Sequence, residues 1–278
     1  MSDDYPVKSL CDVLLVSRRG YYQWRAALNS DSSRQETQMQ ASIAQIHRAS
    51  RGTYGSPRVT AVLRKQSDSI GRHRVARLMR EAGLQGRQRR RYRVRTTDSN
   101  HDQPVAPNRL KVADRPTRID EVWVSDITYV STQEGWLYLA GVLDLYSRRL
   151  IGWAMGSGLE TALPLAALLM ALRHRRPPVG VVHHSDRGCQ YASSAYRSTL
   201  KANGCVASMS RRGNCYDNAA MEAFWSTLKH ELVYCRDFRT RAEATTAIFD
   251  YIESFYNQVR LHSALGYQSP LDYEANTN

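Results

Sequence analysis

The sequence predicts an α/β fold, a mixed sheet layered with helices, preceded by a basic all-α region. Three observations predict it. Residues 1–115 show short amphipathic helical periods and hold 23 Lys+Arg against 10 Asp+Glu. From Val122 onward the pattern becomes strand-like runs joined by short turns, after which strands and helices alternate. With 278 residues and 42% hydrophobic content, the chain can bury a sizeable core and divide into more than one domain.

The elements follow in order. Val7 to Leu15 is amphipathic, Val16-Ser17 makes a turn, and Ser17 can cap a helix running through Tyr21, Tyr22, Trp24 and Leu28. This pair, residues 1–30, reads as a helix-turn-helix-like segment. A basic helical DNA-binding domain at 34–95 is expected to contain helices from Gln35 to Ala49, from Pro57 to Lys65 and from Gly71 to Glu81. In the last, Val75, Leu78 and Met79 share a core stripe while Arg72, Arg74, Arg77 and Arg80 spread around the remaining surface. That suits a helix lying in a DNA groove, and packing that merely supports the next domain is the competing account. Residues 96–115 are polar, carry Pro104 and Pro107, and lack periodicity, as a linker does.

The core, 116–235, opens with strands at Val122–Val130, Trp136–Leu145 and Arg149–Met155, the turns falling at Glu134-Gly135 and Tyr146-Ser147. These predict an antiparallel meander. A helix from Thr161 to His174, a strand at Val179–His184, a helix near Ser194–Ala202 and a strand at Val206–Met209 complete the sheet. The next helix is read from Met221, Phe224, Trp225, Leu228 and Leu232, with Asp217 or Asn218 as its N-cap. A C-terminal helical extension occupies 236–278, its main helix running from Arg241 to Gln258 with Ala247, Ile248, Tyr251, Ile252 and Phe255 facing the core.

Three carboxylates occupy places that local structure disfavours. Asp126 interrupts the first strand on the same parity as Val122, Val124 and Val130, although aspartate fits poorly on a half-buried pleated face. Asp186 ends an apolar run, and so projects from the carboxyl end of a strand, where open α/β sheets place ligands. Glu222 lies on a helix, on a stripe with Ser226 and Lys229, with thirty-five residues separating it from Asp186. Three converging acids would raise one another's pKa, whereas divalent cations let them stay ionised. Oxygen-only ligands favour Mg²⁺ or Mn²⁺, and two ions about 4 Å apart suit in-line displacement at a phosphodiester. Asp144 and Asp217 are rival carboxylates, each with a ready local role as turn former or cap.

The segments Trp123-Val124-Ser125-Asp126-Ile127-Thr128-Tyr129, His184-Ser185-Asp186-Arg187-Gly188-Cys189-Gln190-Tyr191 and Asp217 to Lys229 resemble the integrase core of insertion-sequence transposases. With the tail Tyr256 to Tyr267, followed by Ser269-Pro270, the chain resembles the OrfB product of the IS-three family over nearly its whole length. The resemblance implies an RNase H-like integrase catalytic core with a D,D-35-E triad at Asp126, Asp186 and Glu222, with Lys229 as the basic residue that follows. It further implies strand cleavage and transfer at element ends, with double-stranded DNA as partner, assembly of several copies on that DNA, and an upstream OrfA product or fusion.

Charge agrees by a separate route. Residues 116–278 contain 16 residues of each sign, so the net charge of +13 lies in the N-terminal part, as expected for a polyanion partner bound with strong salt dependence. Candidate DNA contacts are Arg58, Arg72, Arg74, Arg77, Arg89, Arg90, Arg91, Arg187, Arg211 and Lys229. The run Arg87 to Arg95 reads equally well as a solvated tail. Five cysteines without a CxxC pair suit reduced thiols, His183, His184 and Cys189 lack a second cysteine for zinc, and no signal peptide or membrane-length apolar stretch is present. A cytoplasmic DNA transposase is the expectation. An RNase H-like nuclease without joining activity and a non-catalytic DNA-binding regulator are the alternatives.

Overall fold

The computed structural model describes residues 5–28, 31–66, 69–87, 105–110, 116–210 and 218–277. The chain divides into two compact units, residues 1–86 and 87–278.

The first unit is helical: α1 (Val7–Val13), α2 (Arg18–Leu28), α3 (Asp31–Ala49), α4 (Ser56–Lys65) and α5 (Arg72–Glu81). Ser17 caps α2 as expected, its Oγ accepting from Gly20 N at 3.0 Å. Pro57 sits in the first turn of α4, where a missing N–H costs nothing. The buried residues of α5 are Val75, Leu78 and Met79; α5 packs against α4, where Val59 and Leu63 are buried, and against α3, where Ile43 is buried.

The second unit is a five-stranded mixed sheet in the order β3-β2-β1-β4-β5, the RNase H-like arrangement. Strands β1 (Val122–Thr132), β2 (Gly135–Asp144) and β3 (Leu150–Gly156) form the antiparallel meander, and β4 (Val182–Ser185) and β5 (Val206–Met209) add in parallel. Between β3 and β4 runs α6 (Ala162–Arg175), which ends at left-handed Arg176 before two prolines that cannot continue a helix. After β4 come the single turn α7 (Cys189–Ala192) and α8 (Ser194–Ala202), and after β5 come α9 (Ala219–Glu231), α10 (Arg241–Asp250) and α11 (Pro270–Ala275).

Helix α6 lies on one face of the sheet, where Leu163, Ala167, Leu168 and Ala171 pack against Trp123, Ala140, Val142 and Ile151. Its approach is close because β3 offers a glycine. A Cβ on Gly152 would stand 2.2 Å from Ala167 O and 2.7 Å from Ala171 N, atoms of helix backbone that cannot step aside. Gly152→Ala is therefore expected to destabilise this unit by about 2–3 kcal/mol. Urea unfolding would show it as a lowered midpoint. Gly158→Ala, where the nearest atom lies at 3.8 Å, serves as the silent control.

Helices α9 and α10 contact the central strands as well, and the ring of Trp225 and the methyl of Met221 lie directly over Gly141 of β2. The C-terminal extension clasps the open edge of β3: Asn257 Oδ1 accepts from Leu150 N and its Nδ2 donates to Leu150 O, both at 3.0 Å, which satisfies a peptide the sheet leaves unpaired. Arg260 is buried and forms a bidentate pair with Glu231, so its charge holds the fold together.

Two elements differ from the sequence expectation. The strand expected from Val179 begins only at Val182, because Gly180 takes a φ of 102° and Val179 stays exposed in a turn. The helix expected from Arg241 to Gln258 is α-helical only to Asp250 and continues as a π-turn, Tyr251–Tyr256. Wider winding rotates the face by one residue, and Tyr251, Ile252, Phe255 and Tyr256 all become buried, Tyr256 meeting Phe224 with ring centroids 4.6 Å apart.

Candidate active site

Parallel pairing of β1 with β4 brings two of the acids together. Ser125 is in register with Ser185, so Asp126 and Asp186, each the next residue, emerge side by side where β4 ends and β1 runs on. The carboxylate of Asp126 is densely surrounded, and burial, then the charge of Asp186, then that of Glu222 push its pKa up to about 8. Two donors oppose that rise, the backbone N–H of Ile127 and the indole of Trp225. Asp186 Oδ1 accepts from Gly188 N at 2.9 Å, a tight turn that aims the carboxylate back over the strand end.

Glu222 projects from the first turn of α9. Its side chain is the most open of the three, and its pKa is raised by burial alone. Among the described residues no three His, Cys, Asp or Glu side chains stand close enough to enclose one ion, so Glu222 approaches the aspartate pair without closing on it. Lys229, two turns further along α9, lies with Nζ 4.8 Å from the centroid of the Tyr129 ring. Burial lowers its pKa while the charge of Asp126 raises it, so the ammonium belongs to the same recess.

Beneath the acids lies a neutral polar layer. His183 Nε2 is 2.8 Å from Ser125 Oγ and 3.1 Å from the Tyr196 hydroxyl, and burial with neighbouring His184 pushes the His183 pKa down to about 3. His184 lies between Ser208 Oγ, 2.9 Å from Nδ1, and Ser210 Oγ, 3.0 Å from Nε2. Both histidines are thus held by hydroxyls within the fold, in accord with packing rather than zinc ligation. Asp144 makes a turn: Oδ1 accepts from Ser147 N and Oγ while Oδ2 accepts from Asp120 N.

The arginines among the candidate DNA contacts fall into three groups. Arg72 and Arg74 are exposed on α5, and Arg58 stacks at 5.6 Å over the ring of Tyr54. Arg77 pairs with Glu36 and Glu81, and Arg187 Nε donates to Ser210 O at 2.7 Å, so both guanidinium groups already serve the fold. Arg89, Arg90, Arg91 and Arg211 lie outside the described residues, as does Asp217.

Three side chains near the acids were not singled out as site residues in the sequence. Trp225 Nε1 donates to Asp126 Oδ2 at 3.1 Å, although periodicity counts tryptophan only as apolar. Asn218 precedes α9 without a side-chain capping bond and instead donates from Nδ2 to Ser125 O at 3.2 Å. The hydroxyl of Tyr191 is buried without a hydrogen-bond partner among the described residues, and its pKa is pushed up by burial, then by Tyr196, Asp126 and Asp186. For Trp225 the available signal was that a buried indole needs an acceptor for its N–H.

Comparison with known proteins adds ancestry to this geometry. An integrase core domain matches residues 116–215, an HTH-like domain residues 33–92, and a second integrase core domain description residues 203–270. The chain is 48% identical over 94% of its length, and 96% of the relative's, to the insertion element IS600 uncharacterized 31 kDa protein of Shigella sonnei. It is 41% identical over 84% of its length, and 91% of the relative's, to the transposase for insertion sequence element IS904 of Lactococcus lactis. It is 37% identical over 98% of its length, and 94% of the relative's, to transposase InsF for insertion sequence IS3A of Escherichia coli.

Proposed function

Since the chain belongs to the insertion-sequence transposases with an integrase core and an HTH-like domain, we propose that it cleaves DNA at the ends of its element and joins those ends to new phosphodiesters. The carrying observation is the convergence of Asp126 and Asp186 at the ends of neighbouring parallel strands, with the charge of Glu222 felt at Asp126. In this proposal the three are the catalytic acids.

The donor set fits a hard divalent cation. It offers carboxylate oxygens only, and an acid pushed to about 8 by burial and then by the charges of Asp186 and Glu222 is one that a bound cation would return to its ionised form. Asp126, Asp186 and Glu222 would hold Mg²⁺ or Mn²⁺, two ions to a site. Bound there, the metal would activate the attacking water or 3′-hydroxyl and neutralise charge on the leaving oxygen. The protein supplies the rest. The turn at Gly188 fixes the direction of Asp186, and α9 carries Glu222 and Lys229 on one flank. Lys229, beside the acids, is placed to neutralise a backbone phosphate, and Arg58, Arg72 and Arg74 of the helical unit would hold DNA through its phosphates.

Further parts of the proposal rest on the family alone: several copies acting together on two element ends, with an OrfA product or fusion as partner. No helix among the described residues is long and apolar enough to cross a membrane. The test is Glu222→Gln, assayed with duplex oligonucleotides carrying element ends in Mg²⁺. DNA binding by gel shift is expected to stay within about twofold, whereas nicked and joined products fall at least about a hundredfold. Turnover at the wild-type rate would remove Glu222 from the site, and nicked product without joined product would favour a nuclease.

A further inference from the structure

Asp126 is held by more than its strand. Trp225 Nε1 lies 3.1 Å from its Oδ2, and the indole reaches that carboxylate only because of what stands opposite on the next strand. The cross-strand partner of Asp126 is Gly141, and a Cβ there would stand 2.9 Å from Trp225 Cη2 and 3.1 Å from Met221 Cε. Glycine thus leaves the slot that the Cη2 edge of the ring occupies over β2 while its N–H donates to Asp126 on β1. Packing alone does not require this orientation. Met221, Phe224 and Leu228 already supply a fully buried apolar stripe on α9, and an aliphatic side chain would fill the slot without a donor. Trp225 stands one turn beyond Glu222, so the helix that carries one acid also carries the group that grips another.

We propose that Trp225 is a positioning residue for the metal-ligating carboxylate of Asp126, its indole N–H fixing the carboxylate plane so that Asp126 and Glu222 are presented to the cation by a single rigid helix. The proposal rests on the assignment of Asp126 as a metal ligand. Hydrogen bonds from outer groups hold ligating side chains in their binding pose and typically contribute 10- to 100-fold in metal affinity. With the indole donor gone, the carboxylate keeps only the backbone N–H of Ile127, and cation binding must complete its ordering.

The test replaces Trp225 in the full chain with its benzothienyl analogue, which keeps the ring's outline and exchanges N–H for sulfur, alongside Trp225→Phe and Asp126→Asn. Mn²⁺ binding is titrated without DNA, and unfolding midpoints are recorded for each. The benzothienyl protein is expected to bind Mn²⁺ about tenfold more weakly at an unchanged unfolding midpoint, with kcat reduced and KM for element-end DNA unaltered. Trp225→Phe is expected to weaken Mn²⁺ binding at least as much. Wild-type Mn²⁺ affinity in the benzothienyl protein, while Asp126→Asn loses binding, would overturn the role of Trp225 alone. Wild-type affinity in Asp126→Asn would overturn the metal assignment and this proposal with it.

Discussion

Asp126→Asn is expected to reduce cleavage and joining at element ends by at least about a thousandfold, equivalent to about 4 kcal/mol of barrier, while making the metal-free protein more stable at pH 8. The two effects have one origin. Asp126 sits in a dense recess beside Asp186 and within the field of Glu222, and its pKa is pushed up to about 8. An unfolded aspartate releases its proton near pH 4. Between those values the folded chain retains a proton that the unfolded chain has lost, so the contribution of Asp126 to metal-free stability is fully present below about pH 4, falls as pH rises, and levels off above about pH 8. Asparagine is nearly the same size, can still accept from Trp225 through its amide oxygen, and never ionises. The variant should therefore match wild type near pH 4.5 and exceed it by a few kcal/mol at pH 8 in EDTA, with the slope between those limits flattened. Denaturant melts across that range provide the measurement. A wild-type profile as flat as the variant's would show that Asp126 is not forced to ionise in a crowded place, and activity within tenfold of wild type would take it out of the chemistry.

What the sequence made legible was what depends on neighbours along the chain. The stripe Met221, Phe224, Trp225, Leu228 appears as buried α9 because helical period and burial coincide there. The alternating runs around Gly135 and Tyr146-Ser147 appear as the meander because turn residues flank them. Less legible was anything fixed by remote partners. The register of Ser125 against Ser185, which brings Asp126 beside Asp186, joins residues sixty positions apart through a crossover helix, and no local pattern encodes it. The apolar run from Val179 overstated its strand because a positive-φ glycine ends pairing there regardless of hydrophobicity. The π-turn at Tyr251–Tyr256 escaped notice for a similar reason: its cause is the set of aromatic rings it must bury, Phe224 among them, rather than the helical propensity of its own residues. Trp225 escaped because a periodicity argument records that tryptophan is apolar and forgets that its nitrogen needs an acceptor.

Because protons and cations compete for the same oxygens, apparent Mg²⁺ or Mn²⁺ affinity is expected to rise about tenfold per pH unit below pH 8 and to reach a plateau above it. Over the interval from pH 6 to pH 8 the change should approach a hundredfold. The controlling group is Asp126, which must lose a proton before it can ligate, its pKa pushed up to about 8 in the metal-free fold. Glu222, also raised by burial, adds to the same competition. Loading each site with metal below the plateau should thus release close to one proton from Asp126. Titration calorimetry in two buffers of different ionisation enthalpy measures that release directly, and Asp126→Asn is the necessary comparison, since it should bind metal weakly and with no proton release. The same competition sets the pH profile of activity at limiting metal: rising steeply toward pH 8 in low Mg²⁺, and moving to lower pH as Mg²⁺ is increased, because the cation drives the proton off. A profile that stays in place when Mg²⁺ is raised a hundredfold would mean that the titrating group lies outside the metal site. The carboxylate pair at the strand ends would then need a different role.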